Sequence, residues 1–178
     1  MTHPLNYFQL FGLPLAYALD ADELMRRYRE LQKTAHPDRY AHGGESERLM
    51  AVSEAARIND AFQTLRDPVK RARYLLELHG GEWQNEQTLA DTAFLMEQIE
   101  LREALEEAVD AHDVDALEQF CDQVKQQEKK QEALLEQEFS NLSALQLAQA
   151  KKSIQKLMFF RKLRDEAGAA LNTAFDAL

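Results

Sequence analysis

The sequence is poor in whatever would cross-link, break or embed it. Its 178 residues include one cysteine, Cys121, so no internal disulfide can form, and one thiol with scattered histidines cannot build a Cys-rich zinc site. A reducing compartment is the expectation that follows. Four prolines and six glycines are too few for a collagen-like or linker-type chain. No apolar run approaches the ~18 residues that span a bilayer. Met1-Thr2-His3-Pro4 lacks a basic region followed by an apolar one, so a cytoplasmic location is expected, without a membrane partner. Neither an internal repeat nor a strand-like alternation of useful length is present.

Basic charge is scarce as well. The net charge of −10 argues against general nucleic-acid binding. The deficit is uneven: residues 1–81 hold 11 Lys/Arg against 11 Asp/Glu, and the remainder holds 10 against 20. What is plentiful is apolar and charged helix-forming material, 45% and 29% of the chain, as in a core-forming all-α protein of one domain or two small ones.

Caps and breakers divide the chain. Asp20 can cap a helix, with Glu23 three residues later completing a capping box, and Leu24, Tyr28, Leu31 and Ala35 fall on its core face. His36-Pro37-Asp38 stops that helix, leaving residues 36–44 as a loop. A second helix is predicted from Glu45 to Leu65, with Leu49, Val52, Ala56, Phe62 and Leu65 as its apolar face. Asp67-Pro68 ends it and starts another, which Gly80-Gly81 terminates after His79. Beyond a linker at 81–90, three helices are predicted: Asp91–Ala108, Asp113 to about Phe139, and about Ser143 to the C-terminus. Short breaks favour an antiparallel three-helix bundle over 91–178, following an N-terminal module over 1–80.

On the Asp20 helix, Arg26, Arg29 and Lys33 lie at about 200°, 140° and 180° from Leu24 and form one cationic face. Such a face can steer a module onto an acidic partner, although charge on an outer helix face is ordinary. Directly after it, His36-Pro37-Asp38 places an imidazole and a carboxylate on a proline-stiffened turn. An acid–base role for that pair is weak, because no nucleophile or ligand-binding loop accompanies it. Downstream come Arg57-Ile58-Asn59-Asp60-Ala61-Phe62-Gln63-Thr64-Leu65-Arg66-Asp67-Pro68, Arg71 and Tyr74.

In that order, a basic helix, an HPD loop and an INxAxxxLxDPxxRxxY segment resemble the J-domain of DnaJ-type co-chaperones. Tyr7-Phe8-Gln9-Leu10-Phe11-Gly12-Leu13-Pro14, Leu19-Asp20 and Asp91-Thr92-Ala93-Phe94-Leu95-Met96-Glu97-Gln98 are similar to the HscB branch, which serves iron–sulfur cluster assembly. The resemblance covers essentially the whole chain. It implies an all-α co-chaperone, with no catalysis and no cofactor, that stimulates the ATPase of an HscA-type (DnaK-class) chaperone and delivers an IscU-type scaffold to it. It also implies chaperone contacts at His36, Pro37, Asp38, Arg26, Arg29, Lys33 and Arg39, where Arg39 replaces the lysine of many J-domains and keeps its charge. A general J-domain co-chaperone with another client is the alternative. A monomer is expected.

The bundle adds its own signal. Phe94, Leu101, Leu105 and Ala108 gather within about 40° of one direction as a core stripe. Leu95, Ile99 and Met96 point elsewhere, at about 100°, 140° and 200°, beside Glu103 at about 180° and Glu100 at about 240°. Two buried faces would also explain this geometry, and the HscB resemblance favours a client site instead. Leu147, Ala150, Ile154, Leu157 and Met158 share a face from which Phe159 points about 140° away, so Phe159 is expected to join the second stripe. Phe160 is expected in the core with Leu163, Ala167 and Leu171. Cys121 reads as a buried small hydrophobe, and His3, His42, His79 and His112, lacking metal-ligand spacing, as surface or cap residues.

Overall fold

The computed structural model describes residues 5–35, 44–83, 91–140 and 143–176. Its elements are α1 (Tyr7–Phe11), α2 (Ala21–Ala35), α3 (Glu45–Arg66), α4 (Pro68–Leu78), α5 (Thr92–Asp110), α6 (Val114–Ser140) and α7 (Ala144–Asp176). No strand occurs among the described residues. The chain divides into two compact units, Met1–Gly81 and Glu82–Leu178.

In the first unit, local chemistry sets the helix ends. The side chain of Asp20 accepts from the backbone of Asp22 and Glu23 at 2.9 and 3.0 Å, whereas the carboxylate of Glu23, expected to complete a capping box, is held by Arg26 and Arg27. Asp67 closes α3 and caps α4 by accepting from Lys70 N at 2.9 Å, with Pro68 at the first position of α4. Gly80, at φ +78°, turns the chain out of α4, and Gly81 N donates to Leu76 O at 2.9 Å. A Cβ on Gly81 would stand 2.7 Å from the Leu76 side chain, so the second glycine is required by close approach. Helix α1 has no counterpart in the sequence reading. It is five residues long, fixed by a capping box between Asn6 and Gln9, and it buries Phe8 and Phe11.

The core of this unit corrects one expected stripe. Phe62 and Leu65 are buried, but Leu49 and Val52 are 65% and 54% exposed, and Ala56 is exposed too. The buried face of α3 runs through Ala51, Ile58, Ala61, Phe62 and Leu65. The step from Ala56 to Phe62 is the fault, because six residues at about 100° each turn the chain well off the starting face. On α2, Leu24 is fully buried while Tyr28, Leu31 and Ala35 are half-buried, and the Tyr28 ring stacks on Phe62 at 4.1 Å.

In the second unit, Phe94, Leu101, Leu105 and Ala108 of α5 pack with Leu117, Phe120 and Val124 of α6 and Phe160, Leu163 and Ala167 of α7. Polar contacts between side chains give the directions. Glu128 meets Arg164 at 2.6 Å and Glu138 meets Ser153 at 3.0 Å, so α6 and α7 run antiparallel. Asp91 meets Lys156 and Arg102 meets Glu166, so α5 and α7 run the same way. Met158, expected on the core face of α7, is 38% exposed. The buried arc of α7 turns from Ile154 through Leu157 to Phe160, and Met158 lies about 40° outside it on the other side.

Candidate functional site

Two surfaces carry the candidate residues. On α2, Arg26, Arg29 and Lys33 are all exposed. They share the surface with acid: Arg26 donates to Glu23 at 2.7 and 2.9 Å and to Glu30 at 2.8 Å, and Arg27 donates to Glu23 at 2.7 Å. Hydrogen bonds from Arg26, then Arg27, hold the Glu23 carboxyl down to about 2, and the same contacts raise the Arg26 guanidinium. A depressed carboxyl stabilises above its ordinary value and ceases to do so as pH falls through the folded one, so this network's contribution is complete at neutral pH and fades between about 4.5 and 2. The face is therefore not uniformly cationic. Arg29 and Lys33 lie toward the C-terminus of α2 at Ala35. His36, Pro37, Asp38 and Arg39, which follow, lie outside the described residues.

The second surface is on α5. Asp91 caps the helix by accepting from Phe94 N at 3.0 Å and receives Lys156 Nζ at 2.9 Å, contacts that lower its carboxyl, the lysine first. With the first turn fixed and Phe94 inward at 1% exposure, Leu95, Met96 and Ile99 face out at 41%, 55% and 51%. Glu100 and Glu103 are exposed beside them. The result is an apolar strip with an acidic margin, suited to an apolar segment that carries basic residues at its edge.

Phe159 departs from its expected place. It is half-buried, edge-on to Phe94 at 5.5 Å and to Phe160 at 5.5 Å, with the Arg102 guanidinium 5.7 Å from its ring centre. It forms the margin between core and strip and is not a free member of the strip. Helix angle alone gave its direction on α7 but could not show that α5 partly covers it.

The remaining candidates are spread apart. Cys121 is half-buried against the bundle core, and burial raises its thiol, so it is less enclosed than expected. His79 caps α4, His112 sits exposed in the α5–α6 turn at φ +52°, and His3 and His42 lie outside the described residues. Among the described residues, no group of three or more His, Cys, Asp or Glu could hold a metal, and no helix is long and apolar enough to cross a membrane.

Comparison with known proteins matches both units. The DnaJ domain family model matches residues 6–74, and the model described as the HSCB C-terminal oligomerisation domain matches residues 90–168. The co-chaperone protein HscB homolog of Shewanella amazonensis is 46% identical over 98% of this chain and 99% of its own length. Among solved structures, the chaperone HscB from Vibrio cholerae aligns with a TM-score of 0.81 at 43% identity, covering 96% of this chain and 99% of that one. The human co-chaperone protein HscB aligns with a TM-score of 0.81 at 28% identity, covering 93% and 81%.

Proposed function

The chain belongs to the HscB family of J-domain co-chaperones, and from that premise we propose that it is an adaptor in iron–sulfur cluster biogenesis. Its first unit engages the ATPase of an HscA-type chaperone, and its second holds the IscU-type scaffold, in the cytoplasm and without a cofactor of its own. The observation that carries the reading is the outward apolar strip Leu95-Met96-Ile99 on a chain that also has a J-domain. A buried core explains Phe94, Leu101 and Leu105, but three large apolar side chains held in solvent by a capped helix call for a partner.

No bond is made or broken by this chain. A J-domain accelerates hydrolysis by binding the hydrolysis-competent conformation of the chaperone better than the other, since only differential affinity shifts such an equilibrium. His36 and Asp38 are contacts in that step and transfer no proton. Arg26, Arg29 and Lys33 steer the encounter, with Arg26 held in place by Glu23 and Glu30, and Arg39 adds a further positive contact. Holding scaffold and chaperone on one chain makes the second binding event intramolecular, at a raised effective concentration.

The test is the steady-state ATPase of a purified HscA-type chaperone. Chain and scaffold together are expected to stimulate it more than either alone, and reversing Arg26, Arg29 and Lys33 to glutamate is expected to slow association. Raising salt weakens the wild-type interaction in the same sense, because exposed charges are screened beyond about 8 Å at physiological ionic strength. Stimulation that the scaffold does not increase would point to a J-domain co-chaperone with another client. Docking indifferent to both charge reversal and salt would leave the α2 face merely solvated.

A further inference from the structure

Helices α2 and α3 enclose a hollow beside the basic face of α2. Tyr28 stacks on Phe62 and Gln32 donates to Asn59, so the two helices run antiparallel. Met25 and Arg29 are four residues apart on α2, and Phe62 and Arg66 four apart on α3, so each pair lies within about 40° along one line of its helix. With the helices opposed, Arg29 comes level with Phe62 and Arg66 with Met25, which sets the two arginines at opposite corners of one patch. All four residues line the hollow, whose wall also holds Asp22 and Arg71. Phe62 is buried and Met25 half-buried, while Arg29 and Arg66 are exposed. The Arg66 guanidinium lies 5.9 Å from the Phe62 ring centre.

The three cations differ in what they already hold. Arg71 is turned inward at 9% exposure, donating to Leu65 O at 2.7 Å and lying 4.8 Å from the Tyr17 ring centre. Arg29 and Arg66 form no ion pair among the described residues, not even with Asp22 on the same wall. Asp22, Met25 and Arg29 also line the groove that runs along α2 past Arg26 and Lys33, so groove and hollow are one continuous surface. We infer that the chaperone-docking surface turns through Arg29 onto the end of α3: the hollow receives an acidic segment of the chaperone's ATPase, with one carboxylate between Arg29 and Arg66 and an adjoining apolar side chain on Met25 and Phe62. The inference rests on the assignment of the α2 face to chaperone docking. Two guanidinium groups suit a carboxylate because each presents a planar fork of donors, and the apolar floor strengthens their field.

The steady-state ATPase of a purified HscA-type chaperone, titrated with the full chain, reads docking as the concentration that gives half-maximal stimulation. Arg66→Gln is expected to raise that concentration about two- to fivefold, as loss of one exposed ion pair would, with melting temperature and scaffold affinity unchanged. The difference from wild type should shrink as salt is raised. Arg29→Gln and Arg66→Gln together should cost less than the product of the single losses, because both arginines hold one carboxylate. An unmoved titration for Arg66→Gln, while Arg29→Gln shifts it, would overturn the extension onto α3 and leave the α2 face standing. Losses that multiply would overturn the shared carboxylate, and a loss that persists at high salt would assign Arg66 to packing on Phe62. Weaker scaffold binding by Arg66→Gln with the ATPase titration unmoved would give the hollow to the scaffold and overturn the inference. No effect of Arg29→Gln would remove the α2 face, and the inference with it.

Discussion

Alanine at Leu95, Met96 and Ile99 together is expected to abolish scaffold binding and to leave the melting temperature within about 5 °C of wild type. The three side chains are 41–55% exposed, so truncation opens no cavity, and surface changes of this kind usually cost about 0.5 kcal/mol or less each. Binding responds differently, because central apolar anchors of an interface commonly cost about 2 kcal/mol or more apiece, and three of them take the affinity down by well over a hundredfold. Phe159→Ala behaves unlike the triple variant. Its ring packs on Phe94 and Phe160, and a half-buried aromatic lost from that position costs about 2 kcal/mol, below the 3–5 kcal/mol of a fully buried one. Thermal melts and calorimetry on the same samples separate the two. A large fall in melting temperature for the triple variant, with unchanged binding per folded molecule, would assign the strip to the core.

His36→Gln is expected to reduce stimulation of the chaperone ATPase to background and to leave scaffold affinity unchanged. Glutamine keeps the polarity of the imidazole but loses the ring and its charge. The residue belongs to the first unit and the strip to the second, so the scaffold site is untouched. Steady-state ATPase with and without scaffold, alongside a scaffold titration, reads both halves. Stimulation at the wild-type level would remove the turn from the chaperone contact, and lost scaffold binding would show that the two surfaces are not separate.

Much of this was legible in the chain because the signals are local. Asp20, Asp67-Pro68, Gly80-Gly81 and Asp91 mark helix ends by chemistry that acts within a few residues, and each does so in the fold. The outward direction of Leu95, Met96 and Ile99 follows from helical angle once Phe94 faces inward. Helix α1 was missed because five residues are too few to show a period. The apolar face of α3 was misread by bridging a six-residue gap that helical geometry does not allow. Partial neutralisation of Arg26 was available in the sequence, since Glu23 and Glu30 stand three and four residues from it, the spacing at which helix side chains meet. The hollow between Arg29 and Arg66 was not, because it depends on how α2 registers against α3, which neither helix specifies alone.

The central claim is that one molecule must hold chaperone and scaffold at once. Its most direct test is an ATPase assay on an equimolar mixture of two full-length variants, His36→Gln and the Leu95, Met96 and Ile99 triple alanine, with chaperone and scaffold present. Each variant keeps one of the two surfaces, so both are present in the tube but never on the same chain. The mixture is expected to stimulate no more than the triple-alanine variant alone, because the gain from linkage is absent. Stimulation restored to the wild-type level would contradict the adaptor account, since the two surfaces would then work without sharing a chain.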